Sequence, residues 1–362
     1  MPNVYAVIMA GGVGTRFWPR SREKTPKQLL EIVGKGTMIQ NTVARLRDLI
    51  APRNIVIVTN KVQKPGLVKQ LPEIPLENIL IEPIGRNTAP CIGLAALYIR
   101  RYDPDAVMVV LPADHIMQDE EEFRRVLRLA TWVAYESGNL VTIGIHPTRP
   151  ETGYGYIQVK DDADPSNPYF DRGVYRVKTF AEKPTLELAK QFLASGDFLW
   201  NSGMFIWRVD TILREIERSL PEMNQELLKI DTAFGSKDFD QIYETAYRTI
   251  RGISIDYGVM EKAKHVFVIK GNFGWSDVGS WDEVLRLASK DEHGNSSSGK
   301  VFFHGTQNTF VHAGNKFVAT VGVDDLIVIV TDDGVLVCKK GHSQDVKEVV
   351  DYLRRKQLDD YL

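Results

Sequence analysis

Cysteine is scarce: the chain of 362 residues carries two, Cys91 and Cys338, far apart. Neither belongs to a CxxC pair or lies in a histidine-rich cluster, so zinc and dithiol redox readings have no support. A secreted disulfide scaffold is equally unsupported, and free thiols suit a reducing, cytoplasmic compartment. Long apolar runs are also missing. After Met1-Pro2-Asn3 comes Val4–Ala10, too short for a membrane span and without the basic flank of a signal peptide. No membrane attachment is expected. Excess charge of one sign is absent too: the formal net charge is −2, so no basic field exists to gather nucleic acid. A site for phosphates must therefore be built from a few local cations.

What is present suits a folded protein. Hydrophobic residues make up 43% and charged residues 25%, so disorder is not expected. The length accommodates one large α/β domain and a smaller one. Val4–Ala10, Asn54–Thr59, Ile79–Ile81, Ala106–Leu111 and Leu140–Ile145 read as buried strands. Helical spacing falls between them, over Met38–Ile50, Thr88–Arg101 and Glu121–Ser137. This alternation predicts an α/β fold with a Rossmann-like, doubly wound, mixed but mainly parallel sheet. Gly153–Val159 and Gly173–Phe180 read as inserted antiparallel strands. Thr185–Ser195 and Thr211–Leu220 read as helices, and Met204–Trp207 and His265–Ile269 as strands. Ser280–Glu283 has the pattern of a capping box opening a helix to about Lys290. The polar, small stretch His293–Gly299 suggests a boundary. A catalytic domain over residues 1–292 and a β-rich domain with a terminal helix over 300–362 are the expected division.

Five segments carry chemistry. Gly11-Gly12-Val13-Gly14-Thr15-Arg16 follows the first strand, and its glycines allow close backbone approach to a phosphate. No Gly-Lys-Ser/Thr follows, and Phe17-Trp18-Pro19 replaces the third glycine and helix of a dinucleotide fingerprint. Thr25-Pro26-Lys27-Gln28 lies a short way on. Glu82-Pro83-Ile84-Gly85-Arg86-Asn87-Thr88-Ala89-Pro90 enters a helix with Asn87 or Thr88 as cap, and a helix start attracts anions. Asp114 in Leu111–His115 sits past a strand's carboxyl end, where ligands of open α/β sheets bind and where a carboxylate can hold a hard cation. Three further stretches offer the short polar groups and glycines that hexose recognition needs: Glu151–Tyr156, Phe180–Pro184 and Asn201–Phe205. Glu182 can accept from two hydroxyls, and Asn201 can donate and accept. Gly274–Trp281 contains Asp277, about 160 positions beyond Asp114, so only the fold can unite the two.

The succession GGVGTR, PKQ and GRNTAP, then TGYGY, EKP, NSG and GWSD, resembles the nucleotide-diphospho-sugar pyrophosphorylases over roughly residues 4–290. GRNTAP is most similar to their guanylyltransferase branch. The resemblance implies the nucleotide-diphospho-sugar transferase fold. It also implies formation of GDP-mannose and diphosphate from GTP and α-D-mannose 1-phosphate. It implies that Gly11, Gly12, Gly14, Thr15, Arg16, Lys27, Gly85, Arg86, Asn87, Thr88 and Asp114 bind the nucleotide, the loop at 85–88 meeting guanine. Arg16 and Lys27 would neutralise its phosphates. Tyr154, Gly155, Glu182, Lys183, Asn201 and Asp277 would bind the sugar phosphate, and Asp114 and Asp277 would hold Mg²⁺. Arg16, Lys27, Asp114 and Asp277 are thus the expected catalytic set. The tail is compatible with the short left-handed β-helix of some members and offers a surface for a homodimer. Bifunctional relatives carry a longer, histidine-bearing isomerase domain, so a single activity is expected. Two alternatives stay open: the same chemistry with UTP or dTTP and another hexose 1-phosphate, and a non-catalytic sugar-nucleotide sensor.

Overall fold

The computed structural model describes residues 3–160 and 167–362; Met1 and Pro2, read with the lead into the first strand, lie outside the described residues. Four strands form the parallel half of a nine-stranded sheet: β1 (Val4–Met9), β2 (Ile55–Asn60), β3 (Ile79–Glu82) and β4 (Val107–Pro112), in the order β3-β2-β1-β4. They are dense in Val, Ile and Leu because both faces are covered. Ala6 and Ile8 of β1 face the layer of α1 (Met38–Ala44), α2 (Lys64–Gln70) and α4 (Glu120–Ser137). Val7 faces the layer of α3 (Thr88–Tyr102), α6 (Val209–Ser219), α7 (Pro221–Ala233) and α8 (Phe239–Thr249). This two-sided packing is the doubly wound arrangement.

The second half corrects the expectation of a mainly parallel sheet. It comprises β5 (Leu140–Ile145), β6 (Tyr156–Lys160), β7 (Val174–Ala181), β8 (Phe198–Arg208) and β9 (Val266–Gly271), with α5 (Leu186–Ser195) between β7 and β8. The full order is β3-β2-β1-β4-β8-β5-β9-β7-β6. β5 and β9 are parallel, but β8 runs antiparallel to both β4 and β5, and β7 antiparallel to β6 and β9. Asn201-Ser202-Gly203 has the composition of a turn, yet it lies inside β8. Asn201 pairs with Gly144 of β5 and its amide donates to the Gly155 carbonyl (2.8 Å), while Ser202-Gly203 form a bulge in which the Gly203 amide, at φ 70°, donates to Asn201 Oδ1 (3.1 Å).

The capping box expected at Ser280 does not form. α9 spans Trp281–Leu287, and Ser280 makes no side-chain cap. Glu283 is drawn away by Arg149 (2.8 Å) and Arg286 (2.7 Å). Part of the stretch read as a boundary is itself strand: Ser296–Ser298 open β10 (Ser296–His304) and pair with Phe310–His312 of β11 (Phe310–Val321). β11 pairs in parallel with β12 (Leu326–Val330), and β13 (Val335–Lys339) closes the small sheet as an antiparallel hairpin. α10 (Lys347–Arg355) follows.

This C-terminal unit is fixed to the segment just after the glycine loop. Phe17, Trp18 and Trp281 share a buried cluster with Phe310, Ile327, Ile329, Val350 and Leu353. Trp18 Nε1 donates to the carbonyl of Tyr361 (3.0 Å), the Glu23 amide donates to that of Leu362 (3.3 Å), and Arg22 pairs with Asp333 (2.9 Å). Among the described residues no helix is long and apolar enough to cross a membrane.

Candidate active site

The glycine loop leaves β1 with its carbonyls turned toward protein donors. Gln28 Nε2 donates to the carbonyls of Ala10 (3.1 Å) and Gly12 (2.9 Å), Gln63 Nε2 to that of Gly12 (3.2 Å), and the Lys27 amide to that of Val13 (3.2 Å). Among the described residues the amides of Gly11 to Gly14 donate to no backbone acceptor. Such a concavity suits an anion. Gly14 has φ 74°, and a Cβ there would lie 2.6 Å from Lys27 Cβ, so no other residue fits.

Two loops carry the aspartates, and the fold stitches them together. The Ile116 amide donates to the Ser276 carbonyl (2.8 Å) and the Ser276 amide to the Ile116 carbonyl (3.1 Å), while Gln118 donates to Phe273 (2.9 Å). Lys27 Nζ lies between them, pairing with Asp114 Oδ2 (2.9 Å) and donating to the carbonyls of Asp114 (3.2 Å) and Asp277 (2.7 Å). Lys27 is only 4% exposed, and three acceptors already surround its ammonium. Its ammonium therefore ties the two aspartate loops together. Burial alone would raise the Asp114 carboxyl, but the Lys27 ammonium and His115 carry the net shift below the ordinary value. Burial lowers the His115 pKa against the pull of both aspartates, and Nδ1 accepts from Trp275 Nε1 (3.1 Å). Tyr154, expected at the sugar phosphate, donates its hydroxyl to Asp277 Oδ1 (2.5 Å) between Trp200 and Trp275. Val278, next to Asp277, has φ 45°, a costly conformation for a β-branched residue. Ser276 Oγ helps hold it by accepting from its amide (3.1 Å).

These loops border a cleft of about 580 Å³ beyond the carboxyl ends of β1 and β4. Gly11, Gly12, Gly14, Asp114 and Asp277 line it, as do Gly85, Asn87 and Thr88, and Tyr154, Gly155, Glu182, Lys183 and Asn201. Thr15, Arg16 and Lys27 line a smaller adjoining cavity that shares Gly14, Asp114, His115 and Asp277 with the cleft. Arg86 lines neither, unlike its neighbours Gly85 and Asn87. Its guanidinium donates to the Arg248 carbonyl in the last turn of α8, where free carbonyls attract cations. Its own carbonyl accepts from Ile253 (3.2 Å), which fixes it facing that way.

Two carboxylates in the cleft escaped the sequence reading. Glu82 ends β3, is 6% exposed, and accepts from the buried Tyr247 hydroxyl through Oε1. Burial pushes its pKa up to about 7, against the lowering effect of that hydrogen bond. Its other oxygen faces the glycine loop, 3.2 Å from where a Gly11 Cβ would stand. Asp256 begins a π-helical turn (Asp256–Met260) and accepts from Asn201 Nδ2 (2.7 Å). Burial raises Asp256; burial and the Asp256 charge together raise Glu182. A side chain on Gly155 would collide with Glu182, so that glycine keeps the carboxylate reachable. Glu82 opens a segment already singled out, but only its burial and Tyr247 mark the carboxylate itself. Asp256 had no local signal at all.

A glycine cradle, paired aspartates and a second polar pocket in one cleft define a nucleotide-handling transferase. A family model described as nucleotidyl transferase matches residues 5–294, and one described as a MannoseP isomerase/GMP-like beta-helix domain matches residues 300–353. The chain belongs to the nucleotidyl transferase family. It is 40% identical over 362 residues to a mannose-1-phosphate guanylyltransferase of Klebsiella pneumoniae, covering 98% of this chain and 75% of the relative. A mannose-1-phosphate guanylyltransferase of Escherichia coli (strain K12) is 41% identical over 357 residues, 97% of this chain and 74% of the relative. A crystal structure from Thermus thermophilus, described as a mannose-1-phosphate geranyltransferase, superposes with a TM-score of 0.86 at 35% identity. It covers 97% of this chain and 99% of that one.

Proposed function

We propose that this nucleotidyltransferase makes GDP-mannose and diphosphate from GTP and α-D-mannose 1-phosphate. The observation that carries the reading is the meeting of Asp114 and Asp277, on stitched loops, with the glycine loop and the Glu182–Asn201–Asp256 group around one cleft. The relatives named above support the choice of sugar and nucleotide.

Glu82 supports guanine on physical grounds. A carboxylate only accepts hydrogen bonds. Guanine presents two adjacent donors on its Watson–Crick edge, N1–H and the N2 amino group, whereas uracil and thymine present one donor between two acceptors. With Oε1 fixed by Tyr247, the carboxylate is held in one orientation toward the glycine loop. Two carboxylates, Glu182 and Asp256, beside Asn201 suit a polyhydroxyl ligand in the same way.

The nucleophile, a phosphate oxygen of the sugar, is already an anion, so no strong base is needed. Catalysis rests on positioning and charge neutralisation around an in-line displacement at the α-phosphorus. Lys27 and Tyr154 hold the aspartates in place, the glycine-loop amides face the phosphates, and Arg16 balances the departing diphosphate. Asp114 and Asp277 offer hard oxygen ligands, and no group of three or more His, Cys, Asp or Glu forms a metal cage among the described residues. That donor set fits Mg²⁺, which keeps waters and takes remaining ligands from substrate phosphates. When bound, the ion supplies charge neutralisation at the reacting phosphates. The same reading divides the chain into a catalytic unit over 1–292 and a C-terminal unit over 300–362. The parallel pairing of β10, β11 and β12 supports a short, left-handed β-helix there. Exposed Phe302 and Phe317 support a homodimer through that unit, and the free thiols Cys91 and Cys338 support a cytoplasmic setting.

Diphosphate release tests the function. GTP with mannose 1-phosphate and Mg²⁺ should outrun UTP, dTTP and ATP and outrun glucose 1-phosphate, and a chelator should abolish the signal. Equal rates across nucleotides would refute the reading.

A further inference from the structure

The geometry points to Lys347, from the C-terminal unit, as a binding residue for the β- and γ-phosphates of the nucleotide and for the diphosphate that leaves. This rests on the nucleotidyltransferase reading of the cleft. The adjoining cavity, about 350 Å³, continues from Gly14, Asp114 and Asp277 past Arg16, and Lys347 forms part of its wall. An in-line displacement puts the leaving group opposite the nucleophile. With the sugar phosphate on the side of Glu182 and Asn201, the diphosphate needs space beyond the aspartates, and this cavity supplies it.

Of the three cations on its wall, Lys27 is committed to Asp114 and two carbonyls. Arg16 has no ion pair among the described residues. The ion-pair partner of Lys347 is Glu348, 4.0 Å away and itself 63% exposed. Arg16 and Lys347 therefore stand on the cavity wall with no buried acid to neutralise them. The Lys347 backbone continues the 3-10 turn Ser343–Val346 straight into α10, so its position is set by the fold of the small unit.

The backbone of Lys347 is anchored on both sides. Asp282, five positions after Asp277, accepts from the amides of Gly341 (2.7 Å) and Ser343 (3.2 Å) and from the Ser343 hydroxyl. Val346 and Val350 are buried in the cluster with Phe17 and Trp281. The small unit thus sets a cation at the edge of the catalytic cavity, which gives it a part in phosphate binding.

Calorimetric titration of diphosphate with Mg²⁺ into the wild type, Lys347→Ala, Lys347→Arg and the control Lys356→Ala tests this without turnover. Lys347→Ala should weaken diphosphate binding about tenfold at low salt, with a shallower salt dependence than the wild type. Lys347→Arg and Lys356→Ala should stay near wild type. In the reverse reaction, KM for diphosphate should rise in Lys347→Ala while KM for GDP-mannose stays unchanged, with no change in Tm. Unchanged diphosphate affinity in Lys347→Ala, or equal weakening of diphosphate and GDP-mannose with a lowered Tm, would overturn the assignment. If the wild type fails to turn over GTP and mannose 1-phosphate, the proposed function falls, and the titration still decides Lys347.

Discussion

Replacing Glu82 by Gln should weaken the enzyme toward GTP and strengthen the fold, and the two effects have different pH signatures. Glu82 is a carboxyl at 6% exposure whose pKa in the folded chain is about 7, against an ordinary 4.5. Below pH 4.5 it is neutral in both states and costs nothing. Between 4.5 and 7 the unfolded chain ionises first, so stability is lost as pH rises, and above 7 the full penalty remains. At about 1.4 kcal/mol per pH unit, the interval amounts to about 3 kcal/mol. Gln cannot ionise and can still accept from Tyr247. Glu82→Gln should therefore raise Tm by several degrees at pH 8 and leave it unchanged near pH 4. For GTP the sign reverses. A charge-assisted bond from a guanine N–H to Oε2 is replaced by an amide whose NH₂ meets that donor, a loss of about 1.5–3 kcal/mol. That is roughly a tenfold to hundredfold drop in kcat/KM for GTP. The wild type should also bind GTP less tightly as pH falls below 7, because guanine needs the ionised form, and the variant should not. Thermal melts across pH and steady-state kinetics at pH 6 and 8 decide the matter. A stability difference independent of pH, or an unchanged kcat/KM for GTP, would refute the reasoning.

Asp277→Asn should lower kcat on the order of a hundredfold or more with the melting curve intact; near-wild-type turnover would remove Asp277 from the reaction. Tyr154→Phe frees Asp277 Oδ1 from its hydroxyl partner and should reduce kcat about tenfold with little change in KM for mannose 1-phosphate. A selective rise in that KM would instead put Tyr154 on the sugar. Asp256→Asn should raise KM for the sugar phosphate and spare KM for GTP, measured by diphosphate release with each substrate varied in turn.

The parallel half of the sheet was legible because strands buried on both faces must be apolar throughout, and β1, β2 and β4 contain little else. Gly14, Asp114 and Asp277 were legible because each stands in a short string whose neighbours restrict what it can do. The strand expected over Met204–Trp207 proved to be the end of a longer one, because Asn201 and the residues before it pair with β5 and β6, a partnership no local pattern announces. The direction of the Arg86 side chain was not legible, since its partner at the end of α8 lies far along the chain. Asp256, Tyr247 and Lys347 left no trace in the sequence, because long-range topology alone brings them to residues met far earlier in the chain.

The carbonyls of Tyr361 and Leu362 are bound by Trp18, Arg22 and Glu23, a few positions past the nucleotide loop. A lesion at Trp18 or Arg22 would therefore be felt twice over, in the seating of the C-terminal unit and in the run of chain that leads from Gly14 to Lys27.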